Sequence, residues 1–190
     1  MDMQKSLSTT RTGNLVLCAL FTTMIAVGAF IRIPVPVVPF TLQFLFTCLA
    51  GNLLGSKRGL ISVLVYIALG LVGLPIFAEG GGIWYVVKPT FGYLLGFAAG
   101  TFVTGLMTER MQKLTVPKLL VANFTGLAIV YLMGMIYCYF ITNYVLGTPL
   151  GLWPLVLYCF ILAVPGDICI CFVSAFLTKR LKPVLQNQLS

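Results

Sequence analysis

The chain reads Val164-Pro165-Gly166-Asp167-Ile168-Cys169-Ile170-Cys171 inside an apolar run that covers about residues 152–177. A run of that length can cross a membrane as a helix. An ionised carboxylate at the centre of a bilayer costs about 2.5–3.5 kcal/mol on insertion scales, so such a group normally faces a cavity, a cation or a ligand. Asp167 is therefore the first candidate for a binding residue, and Pro165 and Gly166 predict a bend that frees backbone polar groups beside it. The alternative is a structural aspartate that bonds to a neighbouring helix.

The composition is that of an integral membrane protein. Of the 190 residues, 59% are apolar and 8% are charged, and the mean hydropathy is +1.04. These values exclude a soluble domain and predict one domain within the lipid bilayer. The formal net charge is +8, but the basic residues lie in short gaps between apolar runs. That pattern is typical of a topology signal and indicates no nucleic-acid partner.

The positions of the cysteines indicate buried, packed side chains rather than disulfides or metal ligands. All six fall in apolar runs, and the chain has no histidine, which predicts no disulfide, no metal site and no cofactor. Cys169 and Cys171 are two residues apart and so lie on different faces of a helix. An enzyme that used Asp167 with either thiol would need a base or a second acid at the same depth, and the sequence offers none. The chain is therefore predicted not to be an enzyme.

Six apolar segments predict an all-α fold with six transmembrane helices in one domain, residues 1–190. Their bounds are about residues 14–31, 41–55, 59–74, 92–107, 119–146 and 153–177. Residues 1–13 read as a polar tail. The first segment is longer than the core of a usual signal peptide and lacks a small-residue cleavage pattern. Residues 32–40 contain three prolines and cannot form regular helix.

Two of the predicted helices carry small residues at four-residue spacing, which lets another helix approach closely in lipid. In the fourth helix these residues are Gly92, Gly96, Gly100 and Thr104. In the first helix they form the pairs Ala19/Thr23 and Thr22/Ala26. The fourth helix is thus predicted to pack within the protein, whereas the first may equally meet a helix of this chain or of another subunit.

The basic residues are divided unequally between the two sides of this arrangement. One set of connectors holds only Arg32 and Lys88, whereas the other set together with the termini holds ten. Because cytoplasmic segments are enriched in Lys and Arg, both termini are predicted to be cytoplasmic. The ten are Lys5, Arg11, Lys57, Arg58, Arg110, Lys113, Lys118, Lys179, Arg180 and Lys182.

The connector over residues 76–91 is predicted to lie outside and to cover a ligand pocket. Exposed glycine amides can bind an anion, and aromatic faces suit a flat ligand; the alternative is an interfacial loop with an aromatic anchor. A ligand with N–H donors at one end and a carboxylate at the other would satisfy Asp167 together with Lys88 or the amides of Gly80 to Gly82. The predicted walls and lid consist of Thr41, Gln43, Gly81, Trp84, Tyr85, Lys88 and Tyr93.

The sequence contains no phosphate-binding loop, no chain of ionisable residues for a proton relay and no duplicated half of the kind found in many secondary transporters. An autonomous pump is hard to build from such a chain. A capture subunit that takes its energy from a partner fits better.

Four runs of the chain resemble the motifs of BioY, the biotin-binding S component of energy-coupling factor (ECF) transporters. They are Ile33-Pro34-Val35-Pro36-Val37-Val38-Pro39-Phe40-Thr41-Leu42-Gln43, Gly73-Leu74-Pro75-Ile76-Phe77, Lys88-Pro89-Thr90-Phe91-Gly92-Tyr93-Leu94-Leu95-Gly96-Phe97 and Pro165-Gly166-Asp167. Their order and spacing agree across nearly the whole chain. The resemblance implies the S-component fold in the cell membrane, biotin capture from the outer face, and release after the subunit tips over within a complex. That complex would contain a transmembrane coupling protein and two ATP-binding-cassette ATPases.

The resemblance also implies roles for particular residues. Asp167 would take the ureido N–H groups of biotin, and the small-residue pairs of helix 1 would dock the coupling protein. Two positions depart from the family: Ile170 stands where many relatives have lysine, and Leu94 where some have arginine. Lys88 or loop amides would then bind the biotin carboxylate. Alternatives are an S component for thiamine or riboflavin, and biotin uptake without any ATPase.

Overall fold

The computed structural model describes residues 2–33, 37–148 and 150–189; residues 34–36 of the proline-rich connector lie outside them. The described part is almost entirely helical. Its α-helices are α1 (Asp2–Phe30), α2 (Gln43–Leu54), α3 (Ser56–Val72), α4 (Phe91–Glu109), α5 (Val116–Phe140), α6 (Leu152–Val156) and α7 (Val164–Leu189). A 3-10 helix spans Ile83–Val87, and π-helical turns span Ile141–Val145 and Leu157–Ile161. The strands β1 (Arg32–Ile33) and β2 (Phe40–Thr41) pair antiparallel.

Four helical stretches in the described part of the chain are long and apolar enough to cross a membrane. They are Thr12–Phe30, Phe91–Glu109, Val116–Val145 and Leu152–Val184. The apolar helix α2 has 12 residues and α3 has 17, so both are shorter than a usual span. The all-helical fold predicted from the sequence is confirmed.

Helix α4 is the centre of the bundle, packed against α2, α3 and most extensively α5. A Cβ added to Gly96 would lie 2.8 Å from the Cα of Val130. One added to Gly100 would lie 2.9 Å from the carbonyl oxygen of Gly126. Because no side chain fits in these gaps, the glycines let the backbones of α4 and α5 touch. The predicted close-packing face is confirmed.

The helix ends differ from the sequence prediction in two places. Helix α1 begins at Asp2, where a polar tail was predicted. The last predicted helix is interrupted: α6 passes into the turn at Leu157–Ile161, and α7 begins at Val164. The bend therefore lies before Pro165. Proline cannot donate to the carbonyl four residues back and its ring crowds that carbonyl, but it is well tolerated in a first helical turn.

Polar side chains join four helices inside the bundle, away from the connectors that hold β1 and β2. The Nδ2 of Asn123 on α5 donates to the carbonyl of Cys171 on α7 at 2.9 Å. Its Oδ1 accepts from Asn52 on α2 at 2.8 Å, and the Oδ1 of Asn52 accepts from Thr108 on α4 at 2.7 Å. The ammonium of Lys182 donates to the carbonyl of Asn52 at 2.8 Å. Buried polar groups are thus paired with one another across helices.

Candidate functional site

A cavity of about 630 Å³, counted with its part open to solvent, lies between the bundle and the two connectors that hold residues 37–42 and 73–90. Among the described lining residues, Asp167 is the only charged one. Most of the other lining side chains are aromatic or aliphatic. The lining residues are Val38, Pro39, Phe40, Thr41, Gln43, Phe44, Ala78, Tyr85, Thr90, Tyr93, Leu94, Phe97, Leu127, Val130, Tyr131, Tyr158, Cys159, Ala163 and Asp167.

Asp167 lies in the first turn of α7 and is 7% exposed. Its carboxylate accepts a short hydrogen bond from the hydroxyl of Tyr131 on α5, and its backbone N–H donates to the carbonyl of Ala163 at 3.2 Å. Because the helix is broken before α7, Asp167 lies at the positive end of the α7 dipole. The positive end of a helix dipole stabilises a nearby carboxylate by up to about 2 kcal/mol in partly buried geometries, which offsets part of the cost of placing Asp167 in an apolar wall.

Gly166 leaves room for the ring of Phe40 beside the Asp167 carboxylate. A Cβ at this position would lie 2.6 Å from the Cζ of Phe40, a cavity-lining residue of β2. The short sheet thus packs directly on the first turn of α7. The glycine is required by this close approach, rather than by the bend that the sequence predicted at the same position.

Thr41 and Gln43 line the cavity as predicted from the sequence, and a chain of hydrogen bonds holds them. The Thr41 hydroxyl donates to the Oε1 of Gln43 at 3.2 Å. The Nε2 of Gln43 donates to the Tyr66 hydroxyl at 2.7 Å, which in turn donates to the carbonyl of Ile76 at 3.0 Å. The start of α2 is thereby joined through α3 to the connector on top of the cavity.

Tyr85 and Tyr93 complete the set of predicted residues that line the cavity. The Tyr93 hydroxyl donates to the carbonyl of Cys159 at 3.1 Å, within the π-helical turn of the interrupted helix. The Tyr85 hydroxyl accepts from Thr90 at 3.1 Å, and its ring centroid lies 4.5 Å from that of Phe77. Both rings are therefore fixed by a polar contact at the hydroxyl and by apolar packing along the ring.

Three predicted residues are not in the cavity wall. Trp84 is 81% exposed. A Cβ at Gly81 would lie 2.1 Å from the carbonyl oxygen of Leu74, so this glycine packs on the end of α3. The ammonium of Lys88 donates to the carbonyl of Glu79 at 2.9 Å and lies 3.5 Å from its carboxylate.

Hydrogen bonds within the chain use part of the predicted anion cradle of glycine amides. The N–H of Gly82 donates to the carbonyl of Gly70 at 2.7 Å, and that of Gly80 to the carbonyl of Phe77 at 3.3 Å. These bonds fold the connector onto α3. Two of the three amides are thus committed within the chain.

The structure adds cavity residues that the sequence analysis missed, above all Tyr131. Its ring packs edge-on against Tyr93, with centroids 6.2 Å apart, and against Phe160, at 5.0 Å. A signal was available, because a tyrosine hydroxyl inside an apolar segment needs a hydrogen-bond partner. Tyr158 carries the same signal, whereas Phe40 and Phe97 have no polar group and gave none.

The two small-residue pairs of α1 separate onto different faces. Thr22 is buried, and its hydroxyl donates to the carbonyl of Ser62 on α3 at 3.0 Å; Ala26 packs beside the core. Ala19 and Thr23 are exposed, and the Thr23 hydroxyl bonds only within α1, to the carbonyl of Ala19. Only the pair Ala19 and Thr23 is therefore open to a partner.

Comparison with known proteins identifies the family. The model of the BioY family matches residues 3–187. The chain belongs to the BioY family. A probable biotin transporter BioY of Lysinibacillus sphaericus is 46% identical over 174 residues, which cover 92% of this chain and 89% of the relative. The biotin transporter BioY of Rhodobacter capsulatus is 35% identical over 178 residues, which cover 88% and 92% of the two chains.

A solved structure gives the same assignment for the fold of this BioY chain. The crystal structure of the S-component for biotin from an ECF-type ABC transporter is similar with a TM-score of 0.77 at 28% identity, covering 92% of this chain and 93% of that chain. The chain therefore has the S-component fold of a multi-pass membrane protein. These relatives are named as transporters, which agrees with the prediction that the chain is not an enzyme.

Proposed function

We propose that this BioY protein captures biotin from the outer face of the cell membrane and delivers it to the cytoplasm together with an ECF energy-coupling module. The proposal rests on one observation: the cavity of about 630 Å³ has a single charged residue, Asp167, among its described lining residues. The names of the relatives and of the similar structure point to the same ligand.

The chemistry of the cavity suits the two halves of the biotin ring system. The ureido ring carries two N–H donors, which a carboxylate can accept, and charge-assisted bonds of this kind are about twice as strong as neutral ones. Tyr131 occupies one carboxylate oxygen and so orients the group toward the cavity. The sulfur-containing ring is apolar and would pack against Phe97 and Tyr93, which lie in the same wall.

The topology that we propose has six spans with both termini in the cytoplasm. Arg58 and Lys182 lie together at the end of the bundle where α2 ends and α7 continues, away from the cavity, which agrees with the excess of basic residues on the cytoplasmic side. The partners would be a transmembrane coupling protein and two ATP-binding-cassette ATPases. The exposed pair Ala19 and Thr23 is the proposed contact with the coupling protein, because small residues let a second helix approach closely.

Calorimetric titration of the purified protein with biotin tests the binding step. Trp84 lies outside the cavity wall, so heat is a safer signal than tryptophan fluorescence. We expect stoichiometric binding that Asp167→Asn weakens by about tenfold or more, since the amide replaces an acceptor-only group with one that also carries donors. Glu109→Gln is the matched control, because this carboxylate is remote from the cavity. Equal affinity of wild type and Asp167→Asn would remove Asp167 from the site.

Two further measurements separate the alternatives. Titrations with thiamine and riboflavin should give no heat; saturable binding of either in place of biotin would change the assigned vitamin. Uptake of labelled biotin by cells that produce the protein alone and with the coupling module tests the requirement for the partners. Equal uptake in both cells would indicate solitary transport.

A further inference from the structure

The cavity lacks a partner for the second charged group of its proposed ligand. A carboxylate that enters with biotin needs a cation or several N–H donors, because an unpaired buried charge is costly. Among the described lining residues there is no lysine or arginine. Lys88 is held by the carbonyl and the carboxylate of Glu79, and the amides of Gly80 and Gly82 are bonded within the chain. The cation must therefore come from elsewhere.

Arg32 lies beside this cavity and joins its two connectors. In the short sheet Arg32 on β1 pairs with Thr41 on β2, and Thr41 lines the cavity. The guanidinium donates from Nη1 to the carbonyl of Ala78 on the other connector, and Ala78 lines the cavity too. Arg32 is thus attached to two residues of the cavity wall, to Thr41 through its backbone and to Ala78 through its side chain.

Arg32 makes no ion pair within the described part of the chain. The one ion pair found there joins Lys88 to Glu79. A guanidinium has five N–H donors in a planar fork that matches a carboxylate, and the bond to Ala78 uses one of them. Its charge reaches the cavity wall only weakly: burial and the Glu79 carboxylate raise the pKa of the Tyr85 hydroxyl, and Arg32 is the smallest of the influences that lower it.

We propose that Arg32 binds the carboxylate of the ligand at the mouth of the cavity and so makes the protein selective for the acid over its neutral derivatives. This inference rests on the proposed function, in which the ureido end lies at Asp167. The negative charge of Asp167 at the floor of the cavity and the positive charge of Arg32 at its mouth would then define one orientation of the ligand. The opposite orientation would bring two carboxylates together at the floor and leave the guanidinium facing the ureido ring.

The test compares biotin with biotinamide, in which a neutral amide of the same size replaces the carboxylate. Both ligands are titrated calorimetrically into the purified wild type, Arg32→Gln and Lys88→Gln. We expect the wild type to prefer biotin, and Arg32→Gln to weaken biotin binding by about tenfold or more while biotinamide changes less than about twofold. Lys88→Gln should keep the wild-type preference. Arg32→Lys should retain part of it, because the charge remains but the fork is lost.

The outcomes distinguish this inference from the function on which it rests. An equal loss for both ligands in Arg32→Gln would show that the arginine acts only as a strut to Ala78, and would overturn the inference. So would a preference that disappears in Lys88→Gln instead. A wild type that binds biotin and biotinamide equally also overturns it while leaving biotin capture intact. A wild type that binds neither ligand refutes the proposed function and this inference together.

Discussion

Asn123 is the residue whose replacement tests the packing of the bundle most directly. It is fully buried and makes contacts with two other helices. Its side chain donates to the carbonyl of Cys171 on α7 and accepts from Asn52 at 2.8 Å and from the Cys48 thiol at 3.0 Å, both on α2. Replacing it with leucine, which has the same branching but a larger volume, removes all three hydrogen bonds and leaves no empty space.

The expected loss follows from the cost of such bonds in a membrane protein. Hydrogen bonds between transmembrane helices contribute about 0.6 kcal/mol on average and at most about 1.7. Three of them give a loss of about 2 kcal/mol in the free energy of unfolding. The Nδ2 of Asn52 would keep only two longer contacts, 3.4 Å to the Ser174 hydroxyl and 3.8 Å to the Cys48 sulfur, so the actual loss should lie above rather than below that value.

The assay is unfolding in detergent, followed by the loss of the monodisperse peak in size-exclusion chromatography at increasing temperature. Thr125→Val is the matched control: it lies on the same helix, is half-buried, and its hydroxyl bonds to the carbonyl of Val121 in its own helix. We expect a clear fall for Asn123→Leu and almost none for the control. A double-mutant cycle with Asn52→Leu should show coupling. Asn123→Leu as stable as the control would refute the view that this network holds the helices together.

Three other predictions follow from the packing. Gly96→Leu should destabilise the protein by about 1–3 kcal/mol or more, because even its Cβ would lie 2.8 Å from the Cα of Val130. Mild oxidation of membranes should join Cys138 to Cys159, whose sulfur atoms are 3.9 Å apart, giving a linked peptide pair in mass spectrometry. Glu109→Gln should cost about 1 kcal/mol in thermal unfolding, because this carboxylate accepts from the backbone and the hydroxyl of the first residue of α3.

Each of these has a control in the same chain. Gly151→Ala introduces a Cβ whose nearest neighbour is 3.5 Å away, so it should leave stability unchanged. The exposed Cys169 should remain unlinked after oxidation. Glu79→Gln removes an exposed carboxylate whose ion pair contributes little. A loss for Gly151→Ala equal to that for Gly96→Leu, oxidation at Cys169 alone, or equal effects of the two glutamate changes would contradict the respective prediction.

The parts of the fold that could be predicted are those with a physical signal along one segment. A charge in an apolar run is conspicuous because burial of charge is costly, so Asp167 could be identified before any contact was known. The glycines of α4 could be assigned to a helix interface because their spacing matches one helical face. The interruption before α7 was misplaced, since Pro165 shows that a helix cannot continue through it but not how far upstream the chain leaves the helix.

The positions of connector side chains could not be predicted, because contacts distant in sequence determine them. The bond from Gly82 to the carbonyl of Gly70 folds the connector onto α3 and leaves Trp84 on the outside. Lys88 is then near enough to Glu79 to pair with it. Composition identified the right connector, and Tyr85 does line the cavity, but no periodicity indicates which residues of a loop face inward.

The pairing of Asp167 with a hydroxyl rather than a cation bears on selectivity. A carboxylate neutralised by lysine or arginine would attract ligand donors weakly, because its charge would already be compensated. Tyr131 satisfies one oxygen and leaves the charge in place, so the floor still attracts N–H groups. It would attract small cations equally well, however, and the floor alone cannot reject them. A positive residue at the entrance, the position proposed for Arg32, would repel cations there and favour an acid with neutral donors at its far end.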